Sequence, residues 1–532
     1  MHSQTELLSR NSRRLLYMLL GIAILLLALA VRFHLLGAQS LWNDEGNAYV
    51  QATRSFSEIA DHAARDIHPP GYYWLLAAWR GLAGETEFAL RALSTFASVV
   101  SIAFAYALGK RLYGFVAGMT AALVIALNTS SIYYAQEARM YALLALWSTA
   151  SIWALAHLLM ARGDSTRMNA RKVVVRALPL ALINAAGLYT QYAYAYVLLA
   201  QGVIVLLWLA GAWAGSHKPD KPSSVPGTLA TYIAASMIAL LLFLPWLPVA
   251  LNQIATWPNT GQPAPLFESL SVFLNWLIFG ITSQNASLAV AWLVLLFGLM
   301  RIRGGRAWET LLPMVWVLVS VGLFLAQGLF RANNLKFLLP AQIGMALWLG
   351  RGIWVLWYGL AAEDSGRRLV KWLPTAWITR LAAVAAAVVL LFALWQGLNP
   401  LYDDPAYQRA DYRTIAAMAE AELGAHDAVI LDGPNQAEVF GYYYDGAAPV
   451  YGLPPGLGGD DALTRDETQA VLANAHSIYA VFWGDAERDP NRVVETALDT
   501  QAYLLDDTWY GDVRLARYRQ PGDMVQQDID MT

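Results

Sequence analysis

Long segments without Asp, Glu, Lys or Arg constrain this sequence more than any other feature. A run of about 20 apolar residues crosses the hydrocarbon core of a bilayer, and two of the segments are long enough for two crossings each. Charged residues make up 14% of the chain, against roughly 25% in soluble proteins. The sequence therefore predicts a polytopic α-helical membrane protein with about eleven membrane-spanning helices. The uncharged segments include 15–31, 112–136, 177–216, 222–267, 310–330 and 381–402.

Several functional classes lack support in the sequence. The net charge of −3 argues against a nucleic-acid partner. Cysteine is absent, which excludes disulfides, thiolate metal sites and a cysteine nucleophile. The sequence has no Walker A, HExxH or GxSxG motif, so an ATP-driven pump, a zincin protease and a serine hydrolase of those types are not indicated.

Basic residues predict the orientation in the membrane. Arg10, Arg13 and Arg14 precede the first span, which indicates a cytoplasmic N-terminus. The apolar sequence between consecutive basic clusters suffices for two spans, so every cluster can face the cytoplasm. The later clusters are Lys110 with Arg111, 162–176, Lys218 with Lys221, 301–306 and 367–371.

This orientation assigns five outer loops, at about 37–87, 133–140, 189–196, 252–287 and 331–336. After a last span at about 379–396 the chain is outside, and charges and Gly-Pro turns return. We predict two domains, a membrane domain of residues 1–398 and an extracytoplasmic α/β domain of residues 399–532. In the second, 411–423 reads as a helix, and 427–431, 477–483 and 513–518 read as strands.

The long first outer loop contains two constellations that could carry chemistry. Adjacent carboxylates, Asp44 and Glu45, could supply a general base towards a hydroxyl, or could simply lie in the first turn of a helix capped by Asn43 or Asp44. His68 and Tyr72 belong to the segment Ile-His-Pro-Pro-Gly-Tyr-Tyr-Trp. This segment suits substrate positioning or metal binding, or a membrane-dipping helix entered through a proline turn.

The later outer loops add charged and aromatic residues. Glu137 and Arg139 lie halfway between two spans, where they could form an ion pair or contact a phosphate. Arg331 and Lys336 are cations on the side where positive loops are disfavoured, which indicates an anionic ligand or phospholipid headgroups. Tyr192 is one of four tyrosines that could stack on a sugar or form an interfacial aromatic belt.

Taken together, these motifs resemble one family. The Asp-Glu pair, His-Pro-Pro-Gly-Tyr-Tyr-Trp and Gln-Glu-Ala-Arg-Met-Tyr, in this order, resemble the protein O-mannosyltransferase-like membrane glycosyltransferases of the GT-C superfold, over about residues 32–349. The tail resembles those of bacterial and archaeal members more loosely. The resemblance implies a multi-pass enzyme of a prokaryotic plasma membrane that transfers a sugar from a polyprenyl-phosphate carrier to a protein, lipid or glycan acceptor.

The resemblance also implies roles for individual residues. Asp44 matches the family's catalytic aspartate, with Glu45 completing the pair, and Arg139 matches an arginine of the second outer loop. Arg139, Arg331 and Lys336 would bind the donor phosphate. His68, Glu137, Tyr72 and Tyr192 would position substrate. A single base with direct displacement would invert the anomeric carbon.

One departure from the family concerns a metal. Aminoarabinose transferases of this family have Glu-Lys-Pro-Pro where this chain has Ile67-His68-Pro69-Pro70, so their acidic metal ligand is not reproduced at Ile67. We assign no cofactor from the sequence and leave a divalent metal open, with Asp66 or His68 as the available substitute ligand.

Two other classes fit the same composition. A transporter or flippase of lipid-linked sugars would also have long uncharged spans, but it would not need an acidic pair combined with outer-face cations. A non-catalytic assembly or sensor protein would use the tail to bind a partner. Asp44→Asn would separate the enzyme from both, because only the enzyme would lose activity without losing its fold.

Overall fold

Helices dominate this computed structural model, which describes residues 2–161, 169–215, 225–256, 266–282, 288–300, 307–358, 376–433, 436–456, 458–483 and 488–521. The chain divides into two compact units, and each is built from more than one segment. The first comprises Met1–His34, Phe56–Leu75 and Arg91–Leu401. The second comprises Leu35–Ser55, Leu76–Leu90 and Tyr402–Thr532. The predicted domain boundary at residue 398 stays a prediction.

Seventeen α-helices precede the tail in the described residues, and several of them lie in uncharged segments of the sequence. A short 3-10 helix, Ala332–Leu338, precedes α16. The helices are α1 His2–Phe33, α2 Asn43–Ala52, α3 Phe56–Ala63, α4 Gly71–Ala83, α5 Glu87–Leu112, α6 Phe115–Leu127, α7 Thr129–Ala135, α8 Tyr141–Leu159, α9 Ala170–Thr190, α10 Tyr194–Gly215, α11 Val225–Phe243, α12 Leu247–Ala255, α13 Leu266–Ile278, α14 Leu288–Gly298, α15 Ala307–Ala326, α16 Leu339–Tyr358 and α17 Ala376–Gln396.

Eight helices in the described ranges are long and apolar enough to cross a membrane, and α6 with α7, bent by 60°, would make a ninth. The first begins at Arg14 and the last at Trp377, as predicted. The chain is therefore a multi-pass membrane protein. Of the remaining apolar helices, α13 and α14 are short, and α16 has a spanning length but contains the buried Arg351. The prediction of about eleven spans also counts short helices such as α13 and α14 and a charge-containing helix such as α16.

Three of the predicted cytoplasmic basic clusters lie outside the described residues, and the cluster of 162–176 is described only from residue 169. The three are Lys218 with Lys221, 301–306 and 367–371. Much of the predicted fourth outer loop, at 257–265 and 283–287, also lies outside the described ranges. The orientation of the chain therefore remains a prediction.

The second unit contains a five-stranded mixed sheet. The helices of the tail are α18 Leu398–Asp403, α19 Tyr412–Glu422, α20 Ala437–Tyr443, α21 Asp461–Leu472 and α22 Val493–Gln501, with a 3-10 turn at Pro405–Tyr407. The strands are β1 Ala428–Leu431, β2 Val450–Gly452, β3 Ser477–Phe482, β4 Tyr503–Tyr510 and β5 Val513–Arg519.

The order of the sheet is β2-β1-β3-β5-β4, in which β1 pairs in parallel with β2 and β3, and β5 pairs antiparallel with β3 and β4. Strand β1, which pairs in parallel on both sides, has the apolar sequence Ala-Val-Ile-Leu, and each of its residues is buried. The predicted helix and three predicted strands of the tail correspond to α19, β1, β3 and β5. The α/β fold predicted for the tail is therefore confirmed, and its extracytoplasmic location stays a prediction.

Candidate active site

A buried arginine at the end of the first span holds the bend that leads to the second predicted outer loop. The guanidinium of Arg32 donates to the carbonyl oxygens of Ala126 at 2.9 Å and Ile125 at 3.0 Å. These carbonyls belong to the last turn of α6, where no intrahelical partner is available. Asn128 then caps α7 by accepting from the backbone N–H of Ser131 at 3.0 Å. The bend is therefore fixed by hydrogen bonds rather than left to a flexible hinge.

The turn after α7 carries Glu137 and Arg139, and both are buried, at 2% and 3% exposure. Its backbone is held from two sides. The side-chain amide of Gln136 donates to the carbonyl oxygen of His34 at 2.7 Å, and the hydroxyl of Ser94 donates to the carbonyl oxygen of Arg139 at 3.0 Å. Burying two charged side chains at the end of a membrane helix is costly unless they are paired or bind a ligand, and the site role predicted for Glu137 and Arg139 stays a prediction.

Two cations of different predicted outer loops meet at one aromatic ring. The guanidinium carbon of Arg139 lies 6.0 Å from the ring centre of Tyr141, and Nζ of Lys336 lies 5.0 Å from it. Both distances are in the range of cation–π contacts. The two contacts bring positive charge from two loops to one ring, and positive charge attracts an anionic ligand. Arg331, by contrast, is exposed immediately before the 3-10 helix Ala332–Leu338.

The Pro-Pro-Gly segment brings His68 into the same unit. The segment ends at Gly71, where α4 begins, and a Cβ there would lie 2.5 Å from the carbonyl oxygen of Tyr189. Only glycine permits this approach. His68 is 7% exposed, and its Nδ1 lies 3.7 Å from a carboxylate oxygen of Asp66.

Asp66 lies between α3 and α4, and neighbouring charged groups shift its pKa. Burial alone would raise the pKa of Asp66, but the charge of His68, 3.7 Å away, and the backbone N–H of Ile67 hold this pKa below its ordinary value. The charge of Arg139 lowers the pKa of Asp66 further. The loop after α3 and the turn after α7 therefore share one electrostatic environment.

Tyr192, between α9 and α10, is hydrogen-bonded to the same loop through a glutamine. The Tyr192 hydroxyl donates to the side-chain oxygen of Gln253 and accepts from the indole N–H of Trp246 at 2.9 Å. Gln253 in turn donates to the carbonyl oxygens of Ala63 at 2.7 Å and Asp66 at 2.5 Å. Burial raises the pKa of Tyr192 to about 12. Tyr192 is therefore a neutral, fixed hydroxyl at physiological pH.

A cavity of about 410 Å³ opens beside these residues. Tyr192, Tyr196, Gln191, Gln327 and Phe337 are among the residues that line it. The ring centre of Phe337 lies 6.1 Å from that of Tyr141, the ring contacted by the two cations. The cavity and the cation pair are therefore neighbours within the first unit.

The remaining predicted positioning residue of this unit is Tyr72, the second residue of α4. Its side chain is fully buried and packs edge to face against Tyr73 at 5.7 Å between ring centres. This packing gives Tyr72 a place in the core beneath the Pro-Pro-Gly turn, and its role towards substrate stays a prediction.

The second unit holds the acidic pair on helix α2, which begins at Asn43. Trp42 precedes the first turn without a side-chain cap, so neither Asn43 nor Asp44 caps the helix. Asp44 is half-buried, whereas Glu45 is fully buried. The two carboxylates thus face different surroundings, as expected for neighbours about 100° apart on a helix.

Glu45 contacts a residue that the sequence did not point to. One of its oxygens lies 3.3 Å from the guanidinium of Arg409, and both side chains are almost completely buried. This ion pair joins α2 to the segment that precedes α19. Glu45 therefore has a structural partner, and its catalytic assignment stays a prediction.

Helix α2 also lies directly against helix α20. A Cβ at Gly46 would come within 2.5 Å of the Cα of Val439, so the contact requires glycine. The backbone N–H of Leu41 donates to the hydroxyl of Tyr443 at 2.7 Å. Glu87 accepts from both Tyr443 at 2.9 Å and Arg413 at 2.7 Å. Both ends of the predicted first outer loop therefore belong to the second unit.

A divalent metal has few ligands in the part of the chain that the structure describes. No three His, Asp or Glu side chains come together there in a metal-binding arrangement. Asp66 and His68 supply two donors, one fewer than the three protein ligands of a typical catalytic zinc site. We derive no step through a metal.

Comparison by sequence matches the chain to no protein-family model and to no curated protein. Comparison by structure shows that it has the GT-C fold of membrane glycosyltransferases. Its fold is similar to that of ArnT from Cupriavidus metallidurans, solved in a crystal structure with undecaprenyl phosphate. The TM-score is 0.56 and the sequence identity 13%, over 93% of this chain and 97% of that chain.

A second similar structure is the archaeal oligosaccharyltransferase AglB from Archaeoglobus fulgidus, solved with an inhibitory peptide and a dolichol-phosphate. Here the TM-score is 0.55 and the identity 10%, over 91% of this chain and 72% of that chain. The likeness to ArnT extends beyond the 32–349 region expected from the motifs, because it includes most of the tail. The GT-C fold predicted from the motifs is confirmed.

Proposed function

We propose that this chain transfers a sugar from a polyprenyl-phosphate carrier to an acceptor hydroxyl. The observation that carries the proposal is the pair of cations, Arg139 and Lys336, on the ring of Tyr141 beside the 410 Å³ cavity. The proteins of similar fold were solved with undecaprenyl phosphate and with a dolichol-phosphate. A polyprenyl phosphate is the anion that such a cation pair would bind at a membrane surface.

The cations act on the leaving group. As the anomeric carbon–oxygen bond breaks, the electron pair moves to the phosphate oxygen, and the polyprenyl phosphate gains a negative charge. Fixed cations stabilise a charge that develops in the transition state. Arg139 can bind two phosphate oxygens at once, and Lys336 supplies a second positive charge. Arg331, exposed at the start of the same loop, would attract the donor rather than act on the reaction.

Asp44 is the proposed base. An acceptor hydroxyl is a weak nucleophile, so Asp44 would take its proton while the hydroxyl oxygen bonds to the anomeric carbon. A general base typically contributes about 10²–10⁴-fold to the rate. Direct displacement from the side opposite the phosphate inverts the anomeric carbon. Of the pair, Asp44 is the better candidate because Glu45 is buried against Arg409.

The other predicted residues would position substrate. Glu137 lies two residues before Arg139 in the same rigid turn, and His68 fixes the charge of Asp66 close to that turn. Tyr192 offers a neutral hydroxyl at the wall of the cavity. Tyr72 supports the loop from below. The acceptor would be a protein, a lipid or a glycan.

The proposed setting is the outer face of a prokaryotic plasma membrane, with a cytoplasmic N-terminus and an extracytoplasmic tail. One observation supports this orientation. Arg14 and Lys110, from two clusters assigned to the cytoplasm, line the same cavity of about 580 Å³ between α1, α5 and α6. Basic residues on cytoplasmic loops are the usual signature of orientation.

Mass spectrometry of lipid that co-purifies with the full-length protein would identify the donor. Turnover of that lipid should then fall at least a hundredfold in Asp44→Asn, with donor binding and melting temperature nearly unchanged. Asp61→Asn, which changes an exposed carboxylate on α3, is the matched control and should turn over like the wild type. Wild-type turnover in Asp44→Asn would refute the base assignment. Movement of the lipid across the membrane without sugar transfer would favour a flippase.

A further inference from the structure

We infer that the 410 Å³ cavity binds the sugar of the donor and that this sugar is uncharged. The inference rests on the proposed function and adds the substrate class to it. The described residues that line the cavity include no Asp, Glu, Lys or Arg. Their polar groups are amides and phenol hydroxyls, which bind hydroxyl groups without requiring a charge.

The hydrogen bonds at the cavity wall leave amide donors available. The backbone N–H of Tyr192 donates to the side-chain oxygen of Gln191 at 2.6 Å, which fixes the orientation of that amide. The side-chain nitrogen of Gln191 is buried and lacks a hydrogen-bond partner among the described residues. A buried donor without a partner destabilises the fold, and a ligand oxygen that accepts from it would remove that cost.

A second amide at the wall is arranged in the same way. The hydroxyl of Tyr196 donates to the side-chain oxygen of Gln327. The nitrogen of Gln327 thus remains as a donor on an exposed side chain. Two amide donors and the rings of Tyr192, Tyr196 and Phe337 are the groups that recognise a sugar, through its hydroxyl oxygens and its apolar face.

The lining argues against charged sugars. An amino sugar carries a cation, and a carboxylate would be needed to compensate its desolvation. A uronic acid carries an anion, which the neutral amides would bind only weakly. The nearby cations, Arg139 and Lys336, contact Tyr141 and are assigned to the phosphate. An uncharged hexose or pentose is therefore the class that the cavity suits.

Binding of four defined lipids to the full-length protein in nanodiscs tests the inference. The probes are undecaprenyl phosphate alone and undecaprenyl phosphate carrying glucose, 4-amino-4-deoxyarabinose or glucuronic acid. The glucose lipid should bind at least tenfold more tightly than either charged sugar lipid. In Gln191→Leu this preference should fall about fivefold, which corresponds to the roughly 1 kcal/mol of one hydrogen bond, while affinity for bare undecaprenyl phosphate stays unchanged.

Gln201→Leu is the matched control on helix α10. Gln201 is buried like Gln191, but its side-chain nitrogen already donates to Ser151 and to Asn184, both at 3.0 Å. Gln201→Leu should lower the melting temperature without changing the preference among sugars. Gln191→Leu removes an unsatisfied donor but also the acceptor of the Tyr192 N–H, so its two effects on the melting temperature oppose each other, and the preference among sugars is the readout. Tyr196→Phe provides a second cavity variant and should also reduce the preference.

The outcomes separate the two proposals. Equal or tighter binding of a charged sugar lipid, or an unchanged preference in both Gln191→Leu and Tyr196→Phe, would overturn the inference and leave the donor site intact. Failure of all four lipids to bind would refute the proposed function itself. If all three sugar lipids bind no more tightly than bare undecaprenyl phosphate, the cavity does not contact the sugar, and the inference is overturned.

Discussion

The buried ion pair between Glu45 and Arg409 gives the sharpest prediction about the second unit. Glu45 is fully buried and the side chain of Arg409 is 7% exposed, with 3.3 Å between the charged atoms. Removing one partner of such a pair leaves a buried charge uncompensated, which typically costs about 3–5 kcal/mol. Glu45→Gln and Arg409→Gln should each destabilise the second unit by about this amount. The double variant should be less destabilised than the sum of the two.

The expected size of the effect is measurable in the full-length protein. For a unit of 150–250 residues, each kcal/mol lowers the melting temperature by about 2–4 °C, so a loss of roughly 10 °C is expected. Hydrogen exchange read at helices α2 and α20 would show whether the loss occurs where Gly46 contacts Val439. Glu422→Gln is the control variant. Glu422 pairs with Arg517 at 3.2 Å on the surface, where such pairs contribute about 0–1 kcal/mol.

Comparing the two single variants with the double variant also distinguishes a structural role of Glu45 from a catalytic one. If Glu45→Gln melts and exchanges like the wild type but loses turnover a hundredfold, Glu45 acts on substrate, and the reasoning from its burial is refuted. If stability falls and the double variant recovers part of it, the pair holds helix α2 in place. Turnover would then fall in Arg409→Gln as well, because both variants loosen the helix that carries Asp44.

Three further predictions follow from single observations. Lys336→Gln should weaken binding of undecaprenyl phosphate about tenfold or more. Arg331→Gln should weaken it less, because of these two cations only Lys336 contacts the ring shared with Arg139. Equal effects of the two variants in equilibrium binding would contradict this ranking. The pKa of Asp66 lies below its ordinary value of 3.8 because of His68, so the stability from this pair is complete above about pH 4 and is lost as pH falls through the folded-state pKa. In His68→Gln the charge of His68 no longer lowers the pKa of Asp66, so this pKa should rise. The midpoint of acid unfolding, followed by tryptophan fluorescence, should then move to higher pH; an unmoved midpoint would show that the pair is not coupled to folding. Ala473→Cys, introduced into a chain that has no cysteine, should react with an impermeant thiol reagent in intact cells, and reaction only after the membranes are opened would place the tail in the cytoplasm.

The sequence predicted those elements whose pattern is local. The last span, α19, β1, β3 and β5 have long apolar runs or clear alternation, and they lie close to their predicted bounds. Strands β2 and β4 have no such pattern. The three residues of β2 are all exposed, and β4 forms an exposed edge of the sheet. An edge strand buries little apolar area, so its sequence contains little of the signal that identifies strands.

The site was predictable in part for the same reason. Arg139 and Lys336 stand out because charges near the outer ends of spans are rare, and the structure brings both to Tyr141. Gln191 and Gln327 are neutral residues whose importance depends on which hydrogen bonds remain unmade. Arg409 lies more than 350 positions from its partner in the sequence. A single sequence without an alignment offers no way to pair residues so distant.

The second unit's contacts have a consequence for the order of biogenesis. The hydroxyl of Ser40 donates to the carbonyl oxygen of Ala410 at 2.5 Å across 370 positions, and Leu41 bonds to Tyr443 across 402. Translation adds about 5–20 residues per second, so the segment bearing Asp44 waits for tens of seconds before its partners are synthesised. During that interval a nascent chain has its early spans in the bilayer while helix α2 lacks the surface on which it packs. Competence for chemistry should therefore arise late and abruptly, when the tail folds, rather than accumulate as the spans insert.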